Sequence, residues 1–317
     1  HCNKCKNECL FLDKYDLDIS DVDRLRELSY HCFLCGKCSE VCPKGIDGRE
    51  IILRMRQEEV SANNDKLAKK GYSILLFEKK DYIYKNYRKG NKKSVFFPGC
   101  NYPSFYPETT KYLSKMLEEV AGMGTVYDCC GKPVSELGMK KQEETILNNI
   151  YKRMKSSGVE EIVTMCPNCF HYFRQKFKEY KFDLQVKSIY EKLSEYKIGR
   201  KIEGDFSVFL PCPDREQKVM YKHIENFVTG DMKPINDIQC CGLGGCAIVK
   251  EPELAQEMCD NMKLKKEQVY TYCATCAGNL ERRGAGEIKH ILNEIVGSNE
   301  KAAIKSSMLN RAKTKFA

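Results

Sequence analysis

Nineteen cysteines stand in this chain of 317 residues, and most of them recur at fixed spacings. Thiolates so placed can hold metal ions or iron–sulfur clusters, so the chemistry to consider first is redox chemistry. The densest stretches are Cys129-Cys130-Gly131 and Cys240-Cys241-Gly242. Each vicinal pair is preceded by a lone cysteine, Cys100 or Cys212, and followed by a C-x-x-C, Cys166/Cys169 or Cys273/Cys276. The same five-cysteine set therefore occurs twice. Neighbouring side chains on a strand point to opposite faces, so both members of a pair reach one centre only where a strand ends and the chain turns. Gly131 and Gly242 permit that turn. A zinc site takes four ligands, as does an ordinary cubane. Five thiolates suit a wider, opened or fused cluster. A vicinal disulfide is the competing reading, and its repetition in identical contexts weighs against it.

The first 45 residues hold seven more cysteines. Cys32-x2-Cys35-x2-Cys38-x3-Cys42-Pro43 is the bacterial ferredoxin run. Zinc would need only two C-x-x-C pairs and no Cys-Pro tail. Cys2-x2-Cys5-x3-Cys9 matches the last three positions of the same run. A cysteine is therefore expected two residues upstream of His1 in the full-length protein, the given chain reading as a fragment or processed product. With the usual crossover, Cys9 completes the cluster of Cys32, Cys35 and Cys38, and Cys42 completes that of Cys2, Cys5 and the upstream residue. The alternative for this earlier set is a degenerate site with a three-iron cluster or none.

The elements that must position these residues follow from periodicity. In the N-terminal stretch, helices are expected over 11–15, over 22–30 with Ser20 as cap, and over 49–60 with Ile51, Ile52 and Met55 on one face. Residues 61–93 read as a helical connector with an apolar patch at Ile74–Phe77. From there strands and helices alternate. Val95-Phe96-Phe97 is a buried strand. The stripe Phe105, Thr109, Tyr112, Leu113, Met116, Leu117 and Val120 predicts a helix. A strand over 125–128, a helix over 142–157, a strand over 161–165, a helix over 170–180 and a strand near 184–189 close the unit. The plan repeats with a strand at 207–210, a helix carrying Val219, Met220, His223, Ile224, Phe227 and Val228, a short strand, a helix over 252–266 and a strand at 268–272. Such alternation implies parallel sheets with right-handed crossovers, and ligands collect beyond the carboxyl ends of their strands. Every cysteine of both five-member sets falls there. The fold class is thus α/β: a helical two-cluster ferredoxin-like domain (1–60), a connector (61–93), two repeated βαβ-type domains with small parallel sheets (94–203 and 204–300), and a basic tail or docking helix (301–317).

The formal net charge is +9, from 53 basic and 44 acidic residues. A cubane with four thiolates carries about −2, so several clusters would cancel most of that excess. The basic residues are also dispersed, which argues against nucleic acid. No apolar run approaches the roughly 20 residues of a membrane span, so membrane association would come through a partner. Odd, clustered cysteines speak against a secreted disulfide scaffold and for a reducing cytoplasm. Cys259 reads as core, and Cys246, after Gly244-Gly245, as packing, with a sixth ligand or a nearby thiol as the alternative. His171, beside Cys169, and Lys132, beside Gly131, are candidate proton donors whose blander reading is structural.

Cys100…Cys129-Cys130-Gly131…Cys166-x-x-Cys169 and its second copy resemble the two cysteine-rich CCG domains of the heterodisulfide reductase catalytic subunit. The motifs in front resemble its electron-supplying subunit, and the order is similar to the fused form of that enzyme. The resemblance implies a non-cubane [4Fe-4S] cluster in each five-cysteine set, the two facing each other across a pocket, fed by two [4Fe-4S] cubanes. It implies two-electron thiol/disulfide chemistry on a small molecule. The same family includes iron–sulfur subunits of glycolate, lactate and glycerol-3-phosphate dehydrogenases, which implies as alternative a relay that passes electrons from a flavoprotein to a quinone or an electron-transfer flavoprotein. No nucleotide-binding glycine fingerprint is present, so the expected flavin or nicotinamide sits on a partner subunit.

Overall fold

The structure, a computed structural model, describes residues 2–265 and 268–317. Two sheets organise it. The first contains β1 (Asn86–Lys89), β2 (Ser94–Phe97), β3 (Gly124–Tyr127), β4 (Glu161–Thr164) and β5 (Gln185–Ser188) in the order β1-β3-β2-β4-β5. The second contains β6 (Phe206–Val208), β7 (Met232–Pro234), β8 (Val269–Thr271) and β9 (Ile288–His290) in the order β7-β6-β8-β9. Without β1 the two orders are the same. Every pairing between these strands is parallel except β1 with β3.

Central parallel strands are covered on both faces, so they read as unbroken apolar runs. Val95, Phe96 and Phe97 in β2 are fully buried, each contributing roughly 1.5–3 kcal/mol by leaving water. β1 departs from expectation. It lies in the stretch read as a helical connector, which carries only the short helix Ser73–Lys79 before turning into a strand. Tyr87 anchors it, its hydroxyl donating to Asp128 at 2.6 Å.

Several other expectations need correction. The long stripe expected as one helix is two, Tyr102–Phe105 and Pro107–Ala121, broken where Pro107 occupies the first turn of the second. Tyr112 and Val120 are 52% exposed, so the stripe is wider than the face that packs. Thr110 is buried instead, bonded to the Tyr106 carbonyl at 2.7 Å. Ser20 does not cap the helix Val22–Glu27; Asp21 occupies that position, while the Ser20 hydroxyl donates to Asp18 at 2.6 Å. The helix begun at Pro252 runs to Lys263, and the expected end at Lys266 lies outside the described residues.

Among the described residues before β1 there is no strand. Helices Lys4–Asn7, Leu10–Lys14, Val22–Glu27, Lys37–Glu40 and Gly48–Ala62 build the N-terminal unit. Asp47 caps the last of these, accepting from the Arg49 and Glu50 amides. The C-terminal helix Ser307–Lys313 is docked. Ser104 donates to the Ser307 carbonyl at 2.8 Å, and Asn86 reaches the Ala317 carbonyl at 2.8 Å. No helix among the described residues is long and apolar enough to cross a membrane.

Candidate redox centres

In the first unit Cys100 follows β2, Cys129-Cys130 follow β3, and Cys166 caps the helix Pro167–Glu179 that holds Cys169. Gly131, at φ 85°, makes the turn after the pair, and a Cβ there would stand 2.8 Å from Ile146. The five thiols touch in a row: Cys100–Cys129–Cys130–Cys169–Cys166. The second unit repeats it as Cys212–Cys240–Cys241–Cys276–Cys273, with Cys212 and Cys240 sulfurs 4.0 Å apart. Lone cysteine, first and second of the pair, second and first of the C-x-x-C: the contact order is identical. The thiols are strung out, and among the described residues no three donor side chains close on a single ion.

The rows share their protons unequally. Hydrogen bonds from Cys129 and Cys169 lower the middle thiol, Cys130, to about 5. Those from Cys240 and Cys276 lower Cys241 well below the ordinary value. Cys129 is bonded by Cys100, yet its bond to Cys130 and its burial carry it up to about 12. Five crowded, largely buried thiols cannot all ionise against one another without positive charge to receive them.

Buried and half-buried cations supply part of that charge. Burial alone would lower Lys79, but the charges of Cys100 and Cys129 hold it above the ordinary lysine value; Glu78 pairs with it at 2.7 Å. Arg311, from the C-terminal helix, pairs with Glu78 and is raised by Cys100 against its own burial. At the second row, Arg215 reaches within 4.0 Å of the Cys212 sulfur and is raised, against burial, by Cys212, Cys35 and Cys240. The donor chemistry and the facing cations fit anionic iron–sulfur centres.

The rows lie against each other. Asn168, inside the first C-x-x-C, donates to the Cys273 sulfur at 3.8 Å. Asn101, next to Cys100, donates to Thr275, inside the second C-x-x-C, at 2.7 Å. Lys132 is paired with Glu136, and burial would lower it, but Glu136 and then the thiolates Cys130 and Cys212 hold it raised. Its charge therefore belongs to both rows. His171 bonds through Nε2 to Asp214 at 2.6 Å. Asp214, fully buried two residues beyond Cys212, also accepts from the Tyr272 hydroxyl and the Met220 and Tyr221 amides.

The N-terminal cysteines meet the second row. Cys9 is raised by burial and by its neighbours Cys35, Cys32 and Cys38, the grouping expected from the crossover. Cys35 is lowered to about 6, first by a hydrogen bond from Cys240. The set Cys2, Cys5 and Cys42 is not brought together in this way. Cys5 neighbours Cys38, Cys2 is exposed, and Cys42 is lowered by the backbone amides of Ile46, Lys44 and Gly45. The loop after the second vicinal pair presses on the N-terminal backbone; a Cβ on Gly245 (φ 60°) would stand 2.6 Å from the Cys32 carbonyl. Arg56, fully buried, ties the units together. Its five N–H donors go to the carbonyls of Ser29 (twice), Cys32, Glu136 and Gly245. Cys246 and Cys259 stay out of the rows. They donate to the carbonyls of Pro133 and Leu280, as packing and core cysteines would.

The cysteine-rich CCG domain matches residues 94–174 and 208–281. This chain carries two CCG domains. Curated relatives of the CCG chain are redox and iron–sulfur proteins. A fumarate reductase (CoM/CoB) subunit of Methanothermobacter marburgensis is 26% identical, over 88% of this chain and 64% of its own length. A dihydromethanophenazine:CoB–CoM heterodisulfide reductase subunit of Methanosarcina acetivorans is 21% identical, over 82% and 74%. Lactate utilization protein A 1 of Bacillus mycoides is 25% identical, over 64% and 97%. The chain spans only between about half and two thirds of the first relatives it matches. Together the relatives support a role in iron–sulfur electron transfer.

Proposed function

We propose that this CCG chain is an iron–sulfur oxidoreductase subunit of heterodisulfide-reductase type. The N-terminal cysteines would hold centres that receive electrons singly, and the two five-cysteine rows would hold the pair of centres that serves reversible two-electron thiol/disulfide chemistry. The observation that carries this reading is that both rows are complete, share one contact order and abut. Cys100, Cys129, Cys130, Cys166 and Cys169 would hold one non-cubane [4Fe-4S] centre, and Cys212, Cys240, Cys241, Cys273 and Cys276 the other. Cys9, Cys32, Cys35 and Cys38 would hold a cubane, and Cys2, Cys5 and Cys42 part of a second. Each five-cysteine centre, when loaded, would supply one electron and Lewis-acid chemistry.

Reduction of a disulfide RSSR′ to RSH and R′SH takes two electrons and two protons. Between the rows Lys132 holds a positive charge that favours an anionic sulfur. His171, anchored by Asp214, would carry a proton to a departing thiolate. Asp214 positions the imidazole. The electrons come from or go to a flavoprotein subunit.

The match to lactate utilization protein A 1, over nearly all of that protein, favours a second reading. In it the same centres relay electrons from a flavoprotein dehydrogenase without touching a substrate. EPR of the oxidised protein titrated with a panel of small thiols separates the two. A thiol-dependent paramagnetic signal from the five-cysteine centres is expected; silence across the panel contradicts the catalytic reading and leaves the relay.

A further inference from the structure

Gln239 immediately precedes the second vicinal pair and is buried, 8% exposed. Its side-chain amide nitrogen lies 3.5 Å from the Cys9 sulfur and 3.6 Å from the Cys35 sulfur. Its side-chain oxygen accepts from the Leu10 amide at 2.8 Å. A backbone N–H can only donate, so the atom facing Leu10 is the oxygen, and the two N–H bonds of the amide are left for the two sulfurs. The Gln239 carbonyl is held by Arg215 at 2.8 Å, and Arg215 also reaches toward Cys212. One residue thus touches the N-terminal cysteines with its side chain and is peptide-bonded to Cys240.

The repeated unit supplies an internal contrast. Asp128 holds the same place before Cys129. It accepts from the Tyr87 hydroxyl at 2.6 Å and from the Cys129 amide at 2.7 Å. The first unit places an acceptor there, whereas the second, against which the N-terminal unit packs, places a double donor.

We propose that Gln239 is a positioning residue that joins the centre of Cys9, Cys32, Cys35 and Cys38 to the second CCG centre and sets the reduction potential of the former. The proposal rests on the iron–sulfur reading above. Reduction adds one negative charge, spread over the sulfurs of a cluster. N–H donors aimed at two of those sulfurs stabilise the reduced state and raise the potential. Anchoring by Leu10 and Arg215 keeps the donors in place through the redox cycle.

The test is an EPR-monitored redox titration of the full reconstituted chain, wild type against Gln239→Met, a swap that keeps the volume and removes both donors. The reduction equilibrium of the N-terminal centre should fall about tenfold, a downward shift of about 59 mV for one electron, with the first CCG centre unmoved. An unchanged potential, or an equal shift of every centre, overturns the proposal. A second measurement needs no variant. In wild-type protein carrying ¹⁵N-glutamine, pulsed EPR of the reduced N-terminal centre should show a coupled ¹⁵N nucleus, and its absence overturns the proposal whether or not the Met variant folds. Iron analysis comes first: an N-terminal set that binds no iron refutes the cluster reading rather than the role of Gln239.

Discussion

The two CCG units share a plan and differ in their surroundings. Strand order and thiol row repeat. At matching places the side chains diverge. Two residues past the C-x-x-C stands His171 in the first unit and Gly278 in the second, where a Cβ would meet the Phe105 ring at 2.4 Å. Two residues past the lone cysteine stand Tyr102 and Asp214. The first row is covered by Lys79 and Arg311 from outside its own sheet. The second is covered by the N-terminal unit through Cys35, Gln239 and Arg215. Duplication repeated the thiol row but not its surroundings: the N-terminal cysteines meet the second row, and the His171–Asp214 pair links the two copies.

The largest expected effect falls on the residue that fastens this asymmetry. Arg56→Met removes five donors from four carbonyls contributed by three segments of the chain, so stability in urea should drop by about 3–5 kcal/mol. A loss below about 1 kcal/mol would mean that the units hold together without it. Next comes a pair of glycines with the same φ of 60°. Around Gly122 a Cβ meets nothing within 4 Å, whereas at Gly245 it meets the Cys32 carbonyl. Gly122→Ala should cost about 1 kcal/mol from backbone strain alone. Gly245→Ala should cost about 2 kcal/mol more, and equal costs would show that the close approach to the N-terminal unit is not rigid.

The smallest effect is a pH dependence carried by one unit only. The helix after β5 is capped by Ser188, that after β9 by His290. His290 is buried against the rings of Tyr102 and Tyr106, and burial depresses it to about 3 from an ordinary 6.5. The unfolded chain therefore binds the proton more readily. The stability that this group contributes is complete above about pH 6.5 and is lost as pH falls toward 3. His290→Asn keeps a capping acceptor and should remove about 1–2 kcal/mol of the loss between pH 7 and 5. Parallel stability curves for the two proteins would contradict it.

Much of the centres was legible in the sequence, because the cysteine spacings and the strand ends are local signals. Cys129-Cys130-Gly131 announces its turn, and Val95-Phe96-Phe97 its burial. The residues that serve the centres from afar were not legible. Lys79, Arg215, Arg311, Arg56, Asp214 and Gln239 act on partners contributed by distant segments, and no period in the chain records such pairings. The five-residue helix Lys132–Glu136 is too short to show a period. The exposed Tyr112 and Val120 show the converse, an apolar stripe wider than the surface available to bury it.

The most direct test of the central claim is the iron and acid-labile sulfide content of the full-length protein, purified without oxygen. Four four-iron centres predict about sixteen of each per chain. About eight of each would contradict the account, since the paired CCG rows and the N-terminal sets could not then all be filled.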